Sequence, residues 1–256
     1  MTDRLGLLAS VAVRSAVARE LGREIEYHAV VGSTQERARE RAGTGATSLV
    51  VVADEQTAGQ GTRGRHWHAP AGTALLSSWV WRPSPLDPAL MSLLAGVALA
   101  RALDAVGVPG ARLKWPNDVL LGGRKVAGVL AHGTTDASGG QLVVGIGANV
   151  GQTAFPDDLA DRATSLVLAG LTVDRLALLV RLSTELDRLV PADARAMALA
   201  EWRARATLLG RAVEVRTEGR APVFGVALDV GDDGALILET GYGHERIYAG
   251  EVTLTS

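Results

Sequence analysis

Cysteine is absent from this chain, and that single absence excludes a disulfide framework, a thiolate metal site and a cysteine nucleophile. Net charge is nearly absent as well: 26 basic against 28 acidic side chains leave −2 over 256 residues. Such a chain has no field of one sign with which to coat nucleic acid, and DNA is not an expected partner. No apolar run approaches the roughly 20 residues that a membrane span requires. The N-terminal stretch Leu5 to Val13 is flanked by Arg4 and Arg14 and followed by Arg19, Glu20, Arg23 and Glu24. It reads as an amphipathic helix rather than a signal core, so a cytoplasmic protein without a membrane partner is expected.

Two further scarcities are informative by position. Of the 26 basic residues only Lys114 and Lys125 are lysines, and the only asparagines are Asn117 and Asn149. A genome that favours arginine codons accounts for the scarcity, but not for the placement of all four between positions 114 and 149. Arginine cannot present a compact point charge to one phosphate oxygen, so the surviving ammoniums mark a place where such a charge is needed.

What is present in quantity is material for a core: 47% of residues are hydrophobic and 21% charged, the balance of a globular chain. Strands are expected at Glu24 to Val31, Ser48 to Ala53 and Ala74 to Trp81. Ser33 is a plausible N-cap for a charged helix reaching about Arg41. Asp87 and Pro88 open a strongly apolar helix to about Val106, whose hydrophobicity predicts burial against a sheet. Segments 111–115, 118–121, 124–132 and 141–150 read as strands, and 173–190 and 193–208 as a helical pair. From Gly210 onward, short alternating strands separated by turns such as Gly231-Asp232-Asp233-Gly234 indicate a small β-barrel. The expected organisation is an α+β domain over 1–208, a mixed sheet flanked by helices, followed by a barrel over 209–256.

Two segments concentrate the chemistry. The loop Thr57 to Trp67 holds three glycines and two arginines, a composition that turns backbone N–H groups and guanidinium forks toward an anion. Gly59, Gly61 and Gly64 spell a dinucleotide fingerprint, yet they lead into Pro70 and a strand instead of opening a helix, which rules out that reading. With nothing apolar to anchor it before Trp67, the loop is expected to be mobile until a ligand arrives. The second segment is Lys114-Trp115-Pro116-Asn117-Asp118-Val119, followed by Gly122 to Leu130. Pro116 cannot continue a ladder, and a hairpin returns Lys125 beside Lys114. Two ammoniums with an Asn and an Asp can hold a carboxylate, a phosphate chain and Mg²⁺ together. His66 and His68 lack a third ligand, so a metal site there is not expected.

With these segments in view, the chain resembles the biotin protein ligases over essentially its full length. Glu55 to Trp67 matches the family's glycine-arginine loop, Lys114 to Val119 is its KWPNDV motif unchanged, and Lys125 to Leu130 corresponds to its KxxGIL element. Gly145 to Asn149 matches G-x-G-x-N, and Ser33-Thr34-Gln35 stands where the family has STN at a helix start. Five elements in the expected order make the resemblance specific. It implies a class II synthetase-like catalytic domain with an SH3-like C-terminal barrel, and a two-step reaction. Biotin and ATP give biotinyl-5′-AMP and pyrophosphate, and a lysine of a biotin carboxyl carrier domain then takes the biotinyl group.

By the same resemblance Lys125, Lys114, Asp118 and Asn117 are the expected catalytic residues. Ser33, Thr34, Gln35, Gln56, Gly59, Gln60, Lys125 and Gly128 are expected at biotin. Thr62, Arg63, Arg65, Trp67, Lys114, Asn117 and Asn149 are expected at the nucleotide. Mg²⁺ arrives with ATP, with Asp118 as its candidate contact and no permanent protein ligand. The family usually has Arg where this chain has Gln60 and Thr62, and loss of the cation at 62 predicts weaker retention of biotinyl-AMP. About 24 residues precede the first strand, too few for the helix-turn-helix domain of repressor relatives, so a monofunctional ligase is expected. Exposed strand edges allow a homodimer. The rival readings are a lipoate ligase of the same fold, which the intact KWPNDV and the end of the loop disfavour, and a non-catalytic biotin sensor. A sensor has no use for the phosphate-side cations.

Overall fold

The computed structural model describes residues 3–134 and 139–255. A short 3₁₀ turn, Leu5–Ala9, precedes helix α1, Val11–Leu21. The single amphipathic helix expected here is thus divided at Ser10, whose backbone is extended. Leu5 and Leu8 are both fully buried, and the three-residue repeat of a 3₁₀ turn is what points both inward.

The main sheet is built from β1 (Glu24–Val31), β2 (Ser48–Gln56), β3 (Ala74–Trp81), β4 (Arg112–Lys114), β5 (Asp118–Leu121), β6 (Arg124–Thr134) and β7 (Gln141–Asn149). Its order is β1-β2-β3-β7-β6-β5-β4. Only β1 and β2 run parallel, joined by the crossover helix α2, Thr34–Gly43. One face is covered by α3 (Pro88–Ala105) with α5 (Arg175–Leu189) and α6 (Ala192–Arg205) behind it; a single turn, α4 (Asp157–Ala160), lies in the connection from β7. Twelve residues of α3 are buried, which explains its unbroken apolar character: it is the central core helix. The other face is narrower. There Ala38 and Ala42 of α2 pack on Leu49, Val51, Val80 and Val143, and the two alanines let the helix sit close to the sheet.

Helix α6 stops earlier than its pattern suggests. Ala206 and Thr207 leave it to pair with Leu113, giving the edge strand β4 hydrogen bonds it would otherwise lack.

The C-terminal strands β8 (Ala212–Arg216), β9 (Val223–Val230), β10 (Leu236–Thr240), β11 (Gly243–Ile247) and β12 (Glu251–Leu254) form one antiparallel sheet in the order β11-β10-β9-β8-β12. The edge strands β11 and β12 do not pair with each other, so this is an open sheet and not the closed barrel that the strand pattern suggests. Its inner residues Val213, Val215, Ala227, Val230, Leu236 and Leu238 are buried and continuous with the main hydrophobic core. The joint is specific. Trp115, 1% exposed, donates its indole N–H to Gly234 O at 3.0 Å. Gly234 has φ +86°, and a Cβ there would meet the backbone of Ala89 and Leu90 at 2.6 Å. Glycine at 234 is what allows this turn to press on the start of α3.

Candidate active site

A cleft of about 470 Å³, part of it open to solvent, lies between the start of α2, the end of β2, and the middle of β3, β6 and β7. Its buried end is polar. Ser33 caps α2, accepting from Glu36 N at 3.4 Å. This turns Thr34 so that its N–H and Oγ1 both donate to Gln56 Oε1, at 2.7 and 2.9 Å. Ser78 Oγ donates to Thr34 Oγ1 at 2.9 Å, and Gln35 Nε2 to Leu130 O at 2.8 Å. Ser33, Thr34, Gln35, Ser77 and Ser78 are each under 5% exposed. These hydroxyls and carboxamides can exchange partners with a ligand that carries N–H and C=O groups in a fixed pattern.

The floor is stripped of side chains. Gly128 and Gly147 face each other across β6 and β7, and the Trp67 ring lies on them. A Cβ at Gly147 would come within 2.6 Å of Trp67 Cε2, and one at Gly128 within 3.2 Å of Cζ3. Gly145 similarly makes room for Gln35. These glycines serve close approach, not unusual backbone angles.

Lys125 stands at the more open end, its side chain 33% exposed. Its Nζ is 2.5 Å from Asp118 Oδ1 and 5.6 Å from the Trp67 ring centroid. Strict alternation would put Lys125 and Gly128 on opposite faces of β6. A bulge, where the register slips between Val119 and Leu120, brings both onto one face together with Asp118. Asn117 closes this side, its Nδ2 donating to Val129 O at 2.7 Å while Val129 N donates to Asn117 O at 2.9 Å.

The glycine-arginine loop makes contacts on several sides. Gly61 N donates to Arg65 O at 2.7 Å and Trp67 N to Gly59 O at 3.0 Å, closing a small hairpin. Trp67 anchors it to the floor, and two arginines anchor it to the other domain. Arg63 and Arg65 reach Glu251 of β12 at 2.8 and 3.4 Å, and Arg63 also donates to Arg216 O at 3.1 Å. Burial pushes the Glu251 carboxyl up, but Arg65, Arg63 and Lys114 outweigh it and hold the group below its ordinary value. Three cations thus converge on one carboxylate, an arrangement equally suited to a phosphate chain.

Ten of the residues expected at the ligands line the cleft: Ser33, Thr34, Gln35, Gln56, Gln60, Thr62, Trp67, Asn117, Lys125 and Gly128. Gly59 closes the loop's base, where a Cβ would come within 3.0 Å of Gln56 Nε2. Arg63, Arg65 and Lys114 gather around Glu251 at the rim, and Asp118 backs Lys125. Asn149 lies apart: it is 3% exposed, and its carboxamide donates to Thr164 O at 3.0 Å and accepts from Gln152 Nε2 at 2.8 Å. Sequence reasoning missed Ser77, Ser78, Ile146 and Glu251. Two adjacent serines inside the apolar strand Ala74 to Trp81 were a usable signal; Glu251, in another domain, gave none. Among the described residues no group of three His, Asp or Glu side chains is placed to hold a metal ion.

Residues 27–149 match the biotin/lipoate A/B protein ligase family, and residues 208–254 match the biotin protein ligase C-terminal domain. The chain is 34% identical to the biotin–[acetyl-CoA-carboxylase] ligase of Mycobacterium tuberculosis, over 98% of each chain. It is 33% identical to the bifunctional ligase/repressor BirA of Bacillus subtilis, over 97% of this chain and 80% of that one. Among solved structures, the biotin protein ligase of Aquifex aeolicus in complex with biotin and ATP superposes with a TM-score of 0.73 at 30% identity, covering 90% of this chain and 98% of that one. The chain belongs to the biotin/lipoate A/B protein ligase family.

Proposed function

We propose that this protein is a biotin protein ligase: it joins biotin and ATP to form biotinyl-5′-AMP and pyrophosphate, then transfers the biotinyl group to one lysine of a biotin carboxyl carrier domain. The observation that carries the reading is the polarity of the cleft. A buried hydroxyl and carboxamide network lies at one end and the Lys125 ammonium at the other, across a glycine floor. A ligand with an amide-like head, an apolar chain and a terminal carboxylate fits that order.

In the first step a biotin carboxylate oxygen bonds to the α-phosphorus as the bond to the β-phosphate oxygen breaks, and pyrophosphate leaves. Negative charge accumulates on the α-phosphate, where Lys125 neutralises both reacting anions and brings them together. Asn117 and Lys114 hold the phosphates. Arg63 and Arg65 exchange Glu251 for phosphate oxygens, and Trp67 offers an aromatic face to the adenine. In the second step the neutral acceptor amine attacks the acyl carbon, AMP leaves with the bridging oxygen, and Asp118, paired with Lys125, takes the amine proton. Ser33, Thr34, Gln35, Gln56, Gly59, Gln60 and Gly128 shape the biotin side. Asn149 acts at the nucleotide through its hold on the 149–152 turn. Mg²⁺ would arrive with the nucleotide phosphates, with Asp118 as its candidate protein contact. We read residues 1–208 as the catalytic domain and 209–256 as an SH3-like module, with the reaction placed in the cytoplasm where ATP is abundant.

The test is single-turnover pyrophosphate release with ATP, Mg²⁺ and either biotin or lipoate, followed by mass analysis of an added carrier domain with one target lysine. Biotin-dependent pyrophosphate and a matching mass gain are expected. Pyrophosphate with lipoate alone, or biotin binding without pyrophosphate, would overturn the reading.

A further inference from the structure

The glycine-arginine loop is fastened on two sides, and only one of them is the Glu251 contact. On the opposite side Gln60 reaches helix α2: its Nε2 donates to Glu36 Oε1 at 2.7 Å, and its Oε1 accepts from Arg39 Nη2 at 3.4 Å. Both ends of one carboxamide are therefore used, each on a side chain of matching polarity. Helix α2 also supplies Ser33, Thr34 and Gln35 at the buried end of the cleft. One rigid element thus carries the ligand-facing residues on its first residues and the loop's fastening directly after them. Glu36 itself is exposed and does not line the cleft, so it touches no bound ligand.

We propose that Glu36 is a positioning residue for this reaction: through Gln60 it holds the loop 59–67 closed against α2 and sets how long the acyl-adenylate is retained. This rests on the ligase reading above. The loop has few apolar contacts besides Trp67, so its closure depends on a handful of polar bonds: its own hairpin, the Glu251 pairs and the Gln60 bridge. Opening of the unliganded loop must break the outer two; with the adenylate bound, the Gln60 bridge is the one that remains on the protein side. Losing either one shifts the closed population, and a change at Glu36 does so without replacing any residue that lines the cleft.

Glu36 also lies in the first turn of α2, where any carboxylate favours the helix. The pair E36A and E36Q separates the two roles. Gln keeps an acceptor for Gln60 while removing the charge, so a helix-end role makes both variants alike and the loop role makes E36Q resemble the parent. The first readout is hydrogen exchange at the Gly61 and Trp67 amides without added ligand, with the α2 amides as the folding control. The second is the dissociation rate of preformed biotinyl-5′-AMP. In E36A both are expected to rise about fivefold, the scale of one exposed hydrogen bond to a charged acceptor, with E36Q within about twofold of the parent. Unchanged loop exchange in E36A overturns the proposal, as does faster exchange with unchanged adenylate release, or an E36Q that behaves like E36A. A parent that forms no adenylate overturns the ligase reading alone, because the loop exchange still reports whether the Glu36 fastening exists.

Discussion

The carboxylate of Asp118 and the ammonium of Lys125 lie 2.5 Å apart on neighbouring strands, and a bulge in the pairing of β5 with β6 is what aims both at the same cleft. The Lys125 side chain is 33% and the Asp118 side chain 24% exposed, so the pair is solvated enough to add about 1 kcal/mol or less to stability. Its value is in orientation: the carboxylate fixes a long, flexible side chain over the glycine floor.

Lys125→Met is therefore expected to lower biotin-dependent pyrophosphate formation by about 10²- to 10³-fold, the effect of losing one positioned charge. Lys125→Arg should not restore it, since a planar fork cannot occupy the point where two anions meet. Asp118→Asn should lower the rate by about tenfold while leaving the melting temperature nearly unchanged. Stopped-flow pyrophosphate assays alongside thermal melts decide this; a large loss of stability with a normal rate would assign the pair to the fold.

A methyl group at position 147 would collide with the indole of Trp67 at 2.6 Å. Gly147→Ala should displace the ring and weaken adenylate formation by about tenfold. In a Trp67→Ala background the same substitution should have little further effect, the signature of one shared contact in a double-mutant cycle. Additive losses would show that Gly147 matters for another reason.

Thr62 faces the cleft where the resemblance calls for a cation, and Arg65 Nη2 donates to its Oγ1 at 3.4 Å. Thr62→Arg should slow release of biotinyl-5′-AMP by about fivefold to tenfold through an added charge-assisted contact. Chase of labelled adenylate with unlabelled biotin and ATP measures it. Equal off-rates for variant and parent would mean that Arg63 already fills this role.

The Glu251 carboxyl is held below its ordinary value of 4.5 by the cations around it. Its contribution to holding the loop is therefore fully present above that value and disappears as the pH falls through the lowered folded value. The side chain is 41% exposed, so the effect is modest and weakens with salt. The carboxyl carbon resonance of Glu251 should titrate below 4.5, with loop amides following the same midpoint, and Glu251→Gln should abolish the loop response. A midpoint at or above 4.5 would contradict the convergence of cations.

Much of this protein was legible along the chain. Strands such as Glu24 to Val31 and Ala74 to Trp81 and the apolar helix from Pro88 follow from local patterning, because side-chain period and turn chemistry act over a few residues. The clustering of Lys114, Asn117 and Lys125 survived in composition alone. Less was legible where contacts span the chain. Leu5 to Val13 breaks into two elements because Leu5 and Leu8 must both reach the core, and the loop around Arg63 is fastened by partners about 190 positions away.

The sequence by itself determined which elements form and which residues carry the chemistry, since propensity, capping and motif identity are local properties. Tertiary structure decided how those residues meet. A one-residue bulge turned Lys125 onto the face of Gly128, and Trp67 found two glycines on separate strands. The C-terminal strands paired as an open sheet continuous with the main core, and Glu251 on that sheet became the anchor for the loop arginines. Register, domain packing and long-range charge pairing depend on the whole chain folding at once, and no window of residues contains them.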